Sequence, residues 1–235
     1  MLLDHFHPPL SEQRHWHAFH NAWATHLADD LNRRLPEGWF AEPNVQFGIE
    51  IDVAAFEEAG TCGTLQEGGS EAEAWVPPSP TATIDFPIVT DVVQVDVYTS
   101  EAGPSLAGAI ELVSPSNKAR VEHRDAFVSK CEAYLREGLG LVVVDIVTNR
   151  TANLHAALLN RLPQPFEERE WGALYSAAYR VVTGAGESSL NIWYAPLSIG
   201  AGAQILPLFL RGGPMVPVDL PGTYETTCRG QRIGS

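Results

Sequence analysis

The sequence predicts a mixed α/β fold, a β-sheet flanked by helices, built as a single domain over residues 1–235. Three observations predict it. A chain of 235 residues with 45% hydrophobic and 19% charged residues has the composition of an ordinary globular protein. At that length one core buries roughly 70–75% of the unfolded surface without staples. The apolar spacing is helical near the start and alternating directly afterwards. The order helix, strand, hairpin, helix, wholly apolar strand belongs to a sheet covered on both faces.

Residues 11–35 read as one long amphipathic helix. Trp16, Phe19, Trp23, Leu27, Leu31 and Leu35 share a stripe, Ser11 is the N-cap, and Pro36 with Gly38 stops it. Residues 39–56 read as extended, with Val45, Phe47, Ile49, Ile51 and Val53 alternating and Asp52 within or at the end of the run. From about 57 to 87 the chain turns acidic and rich in Gly, Pro, Ser and Thr, a long insertion rather than a domain. Val93, Val95 and Val97 then alternate, and a second strand covers about 106–113, the pair forming a hairpin across Glu101–Pro104.

Ser114-Pro115-Ser116-Asn117 supplies capping residues and a proline for a helix running to Gly138, with Val121, Phe127, Val128, Cys131, Tyr134 and Leu135 as its apolar positions. LGLVVVDIV, apolar except for Asp145, reads as a strand covered on both faces. A short helix over 152–161 and a C-terminal β-hairpin extension over 174–183 and 189–197 follow. An irregular C-terminal extension from about 200 to 235 is anchored by Leu208, Val216, Val218 and Leu220.

Composition also excludes. Disordered, collagen-like and low-complexity classes do not fit, and no run reaches the ~18–20 apolar residues that span a bilayer, so no membrane partner is expected. The start, MLLDHFHPPL, lacks the basic and apolar regions of a signal peptide. Fifteen Lys and Arg stand against 29 Asp and Glu, a net charge of −14. That disfavours passive coating of nucleic acid and requires any nucleic-acid enzyme to concentrate its cations locally. Cys62, Cys131 and Cys228 are odd in number and widely spaced, which supports neither a disulfide framework nor a zinc knuckle and makes a cytoplasmic location the simplest. Nothing in the sequence specifies an oligomeric state.

The chemistry-bearing residues are Asp52 and Glu111. Glu111 sits inside the apolar run AIELV, where a carboxylate is costly unless paired, hydrogen-bonded or metal-bound, and by alternation it shares a face with Ala109 and Val113. Asp52 is embedded alike in IDVAAF. Two carboxylates from neighbouring strands make a hard-oxygen site suited to Mg²⁺ or Mn²⁺. Each alone also reads as an edge-facing, solvated strand residue. On the following helix Arg120, His123, Phe127, Lys130 and Tyr134 fall within about 80° of one another, so cations could be aimed beside Glu111 or could simply snorkel off the rim of the core stripe.

Six of eight histidines lie in the first 26 residues, with only His17 and His20 spaced to share a helix face. They read as a polar face rather than a zinc site, and His20 is the one expected to point toward the acids. GAGE at 184–187 lacks the Lys of a phosphate loop, and Gly103–Gly108 has one residue too many for a nucleophile elbow.

IELVSPSNK, residues 110–118, resembles the signature of domain-of-unknown-function family 4058, a set of bacterial proteins. WHAFHNAW, IDVAAFE and LPLFLRGGPMVPVDL resemble further segments of that family in the same order, so the likeness spans most of the chain apart from 57–87. The Glu-x-Leu/Val-Ser-Pro-Ser element, a helix with Lys and Tyr, and an apolar strand carrying Asp near its end are also similar to the Uma-type endonucleases. The resemblance implies a PD-(D/E)xK restriction-endonuclease-like core. Asp52 then matches the first acid and Glu111 the second. Ile51 stands where that class has proline and Val113 where it has lysine, so the lysine role passes to Lys130 or to Lys118.

On that resemblance the expected activity is metal-assisted phosphodiester hydrolysis. Asp52, Glu111 and the Val113 carbonyl would hold Mg²⁺, or Mn²⁺ in its place, Lys130 would orient water or offset developing charge, and Lys118, Arg120 and His123 would contact phosphate. The alternative is a non-catalytic binding or assembly module that keeps the fold with a degenerate site, which the charge and Val113 favour.

Overall fold

The structure, a computed structural model, describes residues 1–47, 49–57, 75–85, 105–162, 171–184 and 188–234. The expected helix over 11–35 is two: α1 (Leu10–Gln13) and α2 (Trp16–Asn32), broken at Arg14, whose backbone is extended. Ser11 therefore lies inside α1 instead of capping a long helix. The run at 39–56 is not one strand but two antiparallel ones, β1 (Trp39–Phe47) and β2 (Ile49–Glu57), paired from Trp39 opposite Glu57 to Phe47 opposite Ile49.

From the insertion, residues 58–74 and 86–87 lie outside the described residues, but β3 (Ala82–Asp85) pairs with a late strand at the sheet's edge. The strand expected over Val93–Val97 also lies outside them. After it come β4 (Ser105–Leu112), α3 (Pro115–Ala119), α4 (Val121–Arg136), β5 (Gly140–Asp145), α5 (Leu154–Leu159), β6 (Tyr175–Thr183) and β7 (Ser188–Pro196). The sheet runs β1-β2-β4-β5-β6-β7-β3. Among the described residues only β4 and β5 are parallel, joined by the helical crossover that such a pair needs.

Residues 200–235 are more regular than expected. They form a ribbon of β8 (Leu206–Phe209) and β9 (Met215–Val218) and a helix, α6 (Leu220–Gly230). Asp219 caps α6 by accepting from Gly222 N–H at 2.9 Å, with Pro221 in the first turn, a start signal present in the sequence.

The sheet separates two cores. Leu112, Val142 and Val144 face Phe19, Trp23 and Leu27 of α2 and Tyr224 of α6, whereas Ala109, Leu141 and Val143 face Phe127, Val128 and Leu135 of α4. This is why β5 is apolar on every residue before Asp145. Between Ala55 and Phe56 the β2–β4 register shifts by one residue. Leu106 accordingly faces α4, Ala107 faces α2, and normal alternation from Ala109 onward carries Glu111 to the α4 side. Gly140 is required where β8 crosses β5, since a Cβ there would sit 1.9 Å from the Phe209 carbonyl oxygen. Among the described residues, no helix is long and apolar enough to cross a membrane.

Candidate functional site

The site begins where β2 and β4 part. Their ladder in this direction ends at Val53 opposite Ile110. Beyond it Leu112 still presents both backbone groups toward the β2 side, because Val113 N–H already bonds Val144 C=O on the β5 side at 2.8 Å. Buried backbone groups need partners, and two side chains supply them. Asp52 Oδ2 accepts from Leu112 N–H at 2.6 Å, and His20 Nε2 reaches Leu112 C=O at 3.0 Å. The same Nε2 lies 3.2 Å from Asp52 Oδ1. Both of its partners are acceptors, so the tautomer that fits carries its proton on Nε2. His20 thus meets Asp52, as expected. The backbone turned toward Asp52 is Leu112's, which corrects the expectation that Val113 would offer its carbonyl there.

On the α4 side Glu111, 2% exposed, receives Lys130 Nζ on Oε2 at 2.7 Å. Burial works against the Lys130 charge, but Glu111 outweighs it, with Cys131 and Asp52 adding smaller pulls, and its pKa is raised. Lys130 is therefore a firm cation at neutral pH. Asp52 and Glu111 both bear on Lys130 and on the buried Tyr134 hydroxyl, whose pKa burial and these acids push up. Lys130 thus meets Glu111 directly and feels Asp52 more weakly. The Tyr134 hydroxyl has no hydrogen-bond partner among the described residues.

The SPSN turn follows. Asn117 Oδ1 accepts from Ser114 N–H at 2.8 Å, and the Ser114 and Ser116 hydroxyls meet at 2.6 Å. Exposed His123 approaches the Ser116 carbonyl with Nδ1 at 3.0 Å. Ser116, Asn117, His123, Phe127 and Lys130 line an open depression of about 540 Å³. Four expected residues are thereby in one neighbourhood or on its rim, Asp52, Glu111, Lys130 and His123, whereas Arg120 is exposed at the start of α4. Arg120 is the extended N-cap residue, φ −129°, so it does not continue the helical edge that the spacing suggested.

Lys118 is elsewhere. Its ammonium donates to Asp145 Oδ2 at 2.8 Å, and both side chains are fully enclosed. An enclosed, paired ammonium has no surface phosphate to meet, which corrects the phosphate-contact role expected from sequence. Its partner Asp145 was visible as the single acid in LGLVVVDIV, by the same burial argument that selects Glu111.

Among the described residues no group of three His, Cys, Asp or Glu side chains is placed to hold a metal ion. Asp52 and Glu111 are two hard carboxylates. That donor set fits Mg²⁺, which usually takes one or two protein carboxylates and completes its shell with water and substrate phosphate. No family model matches the chain, and no curated protein or solved structure matches it.

Proposed function

We propose that this protein is a Mg²⁺-dependent phosphodiester hydrolase of the nuclease type, with a PD-(D/E)xK-like core and kinship to family 4058. The observation that carries the reading is the 2.7 Å contact between Lys130 on α4 and Glu111 on β4, in the neighbourhood of Asp52. It supplies an acid, a second acid and a lysine from three separate elements, the lysine reaching the site from the helix instead of from position 113.

Asp52 and Glu111 are the residues that would hold Mg²⁺, or Mn²⁺ in its place, and the ion supplies an acidified water and charge neutralisation at phosphate. The chain's own groups do the rest. His20 and Leu112 N–H fix the Asp52 carboxylate. Lys130 orients Glu111 and offsets negative charge as the water oxygen bonds phosphorus. The attacking water gives up one proton to solvent, the bond from phosphorus to the leaving oxygen breaks with its electron pair on that oxygen, the oxygen takes up a proton, and a phosphomonoester and an alcohol remain. His123 and Arg120 contact phosphate.

The test compares wild type with Glu111→Ala on diester substrates in Mg²⁺ and in Mn²⁺. We expect a loss of about 10²-fold or more in turnover, as for removal of one group that stabilises transition-state charge. Undiminished cleavage by the variant would sink the reading. A second reading, a non-catalytic binding module, is favoured by the enclosure of Lys118 and by a charge of −14. Complete absence of Glu111-dependent cleavage would leave it standing.

A further inference from the structure

The gap where β2 and β4 part gathers three electron-pair donors around one point. His20 Nε2 lies 3.0 Å from the Leu112 carbonyl oxygen and 3.2 Å from Asp52 Oδ1. As a hydrogen-bonded cluster this is a lean arrangement, because a single N–H serves a carbonyl and a full carboxylate at once. The same spacing suits a shared ion. Adjacent corners of an octahedron stand √2 bond lengths apart, roughly 3.0 Å for metal–ligand bonds of about 2.1 Å. Both separations are close to that value.

Three separate elements, α2, β2 and β4, bring the donors together. The Leu112 carbonyl faces the gap because the ladder has already ended at Val53 opposite Ile110. The His20 and Asp52 side chains each keep 13% of their surface in solvent, so an ion can enter, in contrast to the sealed pair of Lys118 and Asp145. Two of the donors are side chains and the third is backbone, which is why no trio of His, Cys, Asp or Glu side chains marks the place among the described residues. The mixed set also selects among ions. Mg²⁺ is a hard ion that takes oxygen ligands and gives up its water reluctantly. An imidazole nitrogen favours first-row transition ions, while a carboxylate and a carbonyl suit Mn²⁺.

We infer that His20 Nε2, Asp52 Oδ1 and the Leu112 carbonyl oxygen are three ligands of one divalent-cation site, which the imidazole tunes to Mn²⁺ over Mg²⁺. The inference rests on the hydrolase reading above for what the ion does, and adds a nitrogen and a backbone oxygen to its ligands. On binding, the Nε2 proton leaves to water. Nδ1, which has no hydrogen-bond partner among the described residues, takes one up, so the imidazole stays neutral and offers its Nε2 lone pair to the ion. In the ion-free chain the shared proton holds the three donors in place.

The experiment loads the whole chain, stripped of metal, with Mn²⁺ alone. Binding is followed by loss of the free-ion electron paramagnetic resonance signal, with Mg²⁺ as competitor, and the electron spin echo of the bound ion is read for modulation by a coordinated nitrogen. Expected are Mn²⁺ held about tenfold or more tighter than Mg²⁺ and a nitrogen modulation in wild type. His20→Gln, which keeps N–H donors but has no imidazole, should lose the modulation and weaken Mn²⁺ binding by about tenfold or more. His17→Gln, an exposed position on the same helix, should change neither. The wild-type spectrum decides without any variant: bound Mn²⁺ lacking nitrogen modulation, or no Mn²⁺ bound at millimolar concentration, overturns the inference. So does modulation that survives in His20→Gln, which assigns the ion to other histidines. Each of these outcomes leaves the hydrolase reading to its own test, Glu111-dependent cleavage in Mg²⁺. Nitrogen-bound Mn²⁺ without any such cleavage overturns the hydrolase reading and leaves the ligand set standing.

Discussion

Two lysine–carboxylate pairs lie twelve residues apart on the same crossover, Lys118 with Asp145 at 2.8 Å and Lys130 with Glu111 at 2.7 Å. Their contact chemistry is the same and their surroundings are not. Both side chains of the first pair are 0% exposed, while Lys130 keeps 15% of its side chain in solvent. The cause is the break between α3 and α4. Helix α3 lasts only five residues, and Arg120 returns to extended backbone before α4 begins. Lys118 is thereby carried inward to the end of β5, and Lys130 lies along the rim of a helix over β4. Equal distances therefore go with different burial: the Lys118 pair is sealed, while the Lys130 pair opens on solvent, as the proposed role of Lys130 requires.

The largest effect that would sharpen this contrast is on stability. Lys118→Met leaves Asp145 in the interior without its cation, and breaking a buried pair by removing one partner costs about 3–5 kcal/mol. Urea denaturation should register a loss of that size. The double variant Lys118→Met/Asp145→Leu should recover most of it, because an apolar replacement of both partners leaves nothing unpaired. A loss below about 1 kcal/mol in the single variant would mean that the pair is hydrated and the contrast with Lys130 false.

The second effect is a dependence on pH. Burial pushes the Asp145 carboxyl up to about 6, with Lys118 and the Val147 N–H pulling it back. Between about pH 4 and 6 the folded protein then holds a proton that the unfolded chain has released. This contribution to stability is full below the unfolded pKa and is lost as pH rises through 6. Buried His5, lowered to about 4, and His155, lowered to about 3, both chiefly by burial, act oppositely, their contribution fading as pH falls below 6.5. The difference in stability between wild type and Asp145→Asn isolates the carboxyl, and it should shrink by roughly 2 kcal/mol from pH 4 to 6. A flat difference would give Asp145 an ordinary carboxylate pKa and make the two pairs alike.

Parts of this were legible in the residues. Alternation placed Glu111 with Ala109 and Val113, and helical spacing brought Lys130 and Phe127 to the same side. These rules work because they depend only on local geometry, and β4 is regular beyond its bulge. What local geometry misses is where an element ends. The single stop at Arg120 took that residue off the helical edge and buried Lys118. The split of 39–56 into β1 and β2 hid that Asp52 stands where the β2–β4 ladder gives out, which is why His20 and Asp52 share the backbone of Leu112. Helix α6 was missed because its middle, Thr223 to Arg229, is poor in apolar residues, although Asp219 and Pro221 mark its start.

The smallest stability effect belongs to the more open pair. Lys130→Met leaves Glu111, itself 2% exposed, without its cation, but water can enter where the lysine, 15% exposed, stood, so the cost should be about 1–3 kcal/mol, below that of the fully enclosed pair. Part of that cost should disappear at high salt, since screening reaches a partly exposed charge and not an enclosed one. On the proposed hydrolase reading, turnover of a diester should nevertheless fall by about 10²-fold or more, because the ammonium would then sit where negative charge develops. The two lysines are then separated by opposite ratios: Lys118→Met large in stability, Lys130→Met large in turnover relative to its small structural cost. A Lys130→Met protein as unstable as Lys118→Met, or one with unchanged turnover on a substrate whose cleavage needs Glu111, would make both pairs structural and leave the chemistry without its lysine.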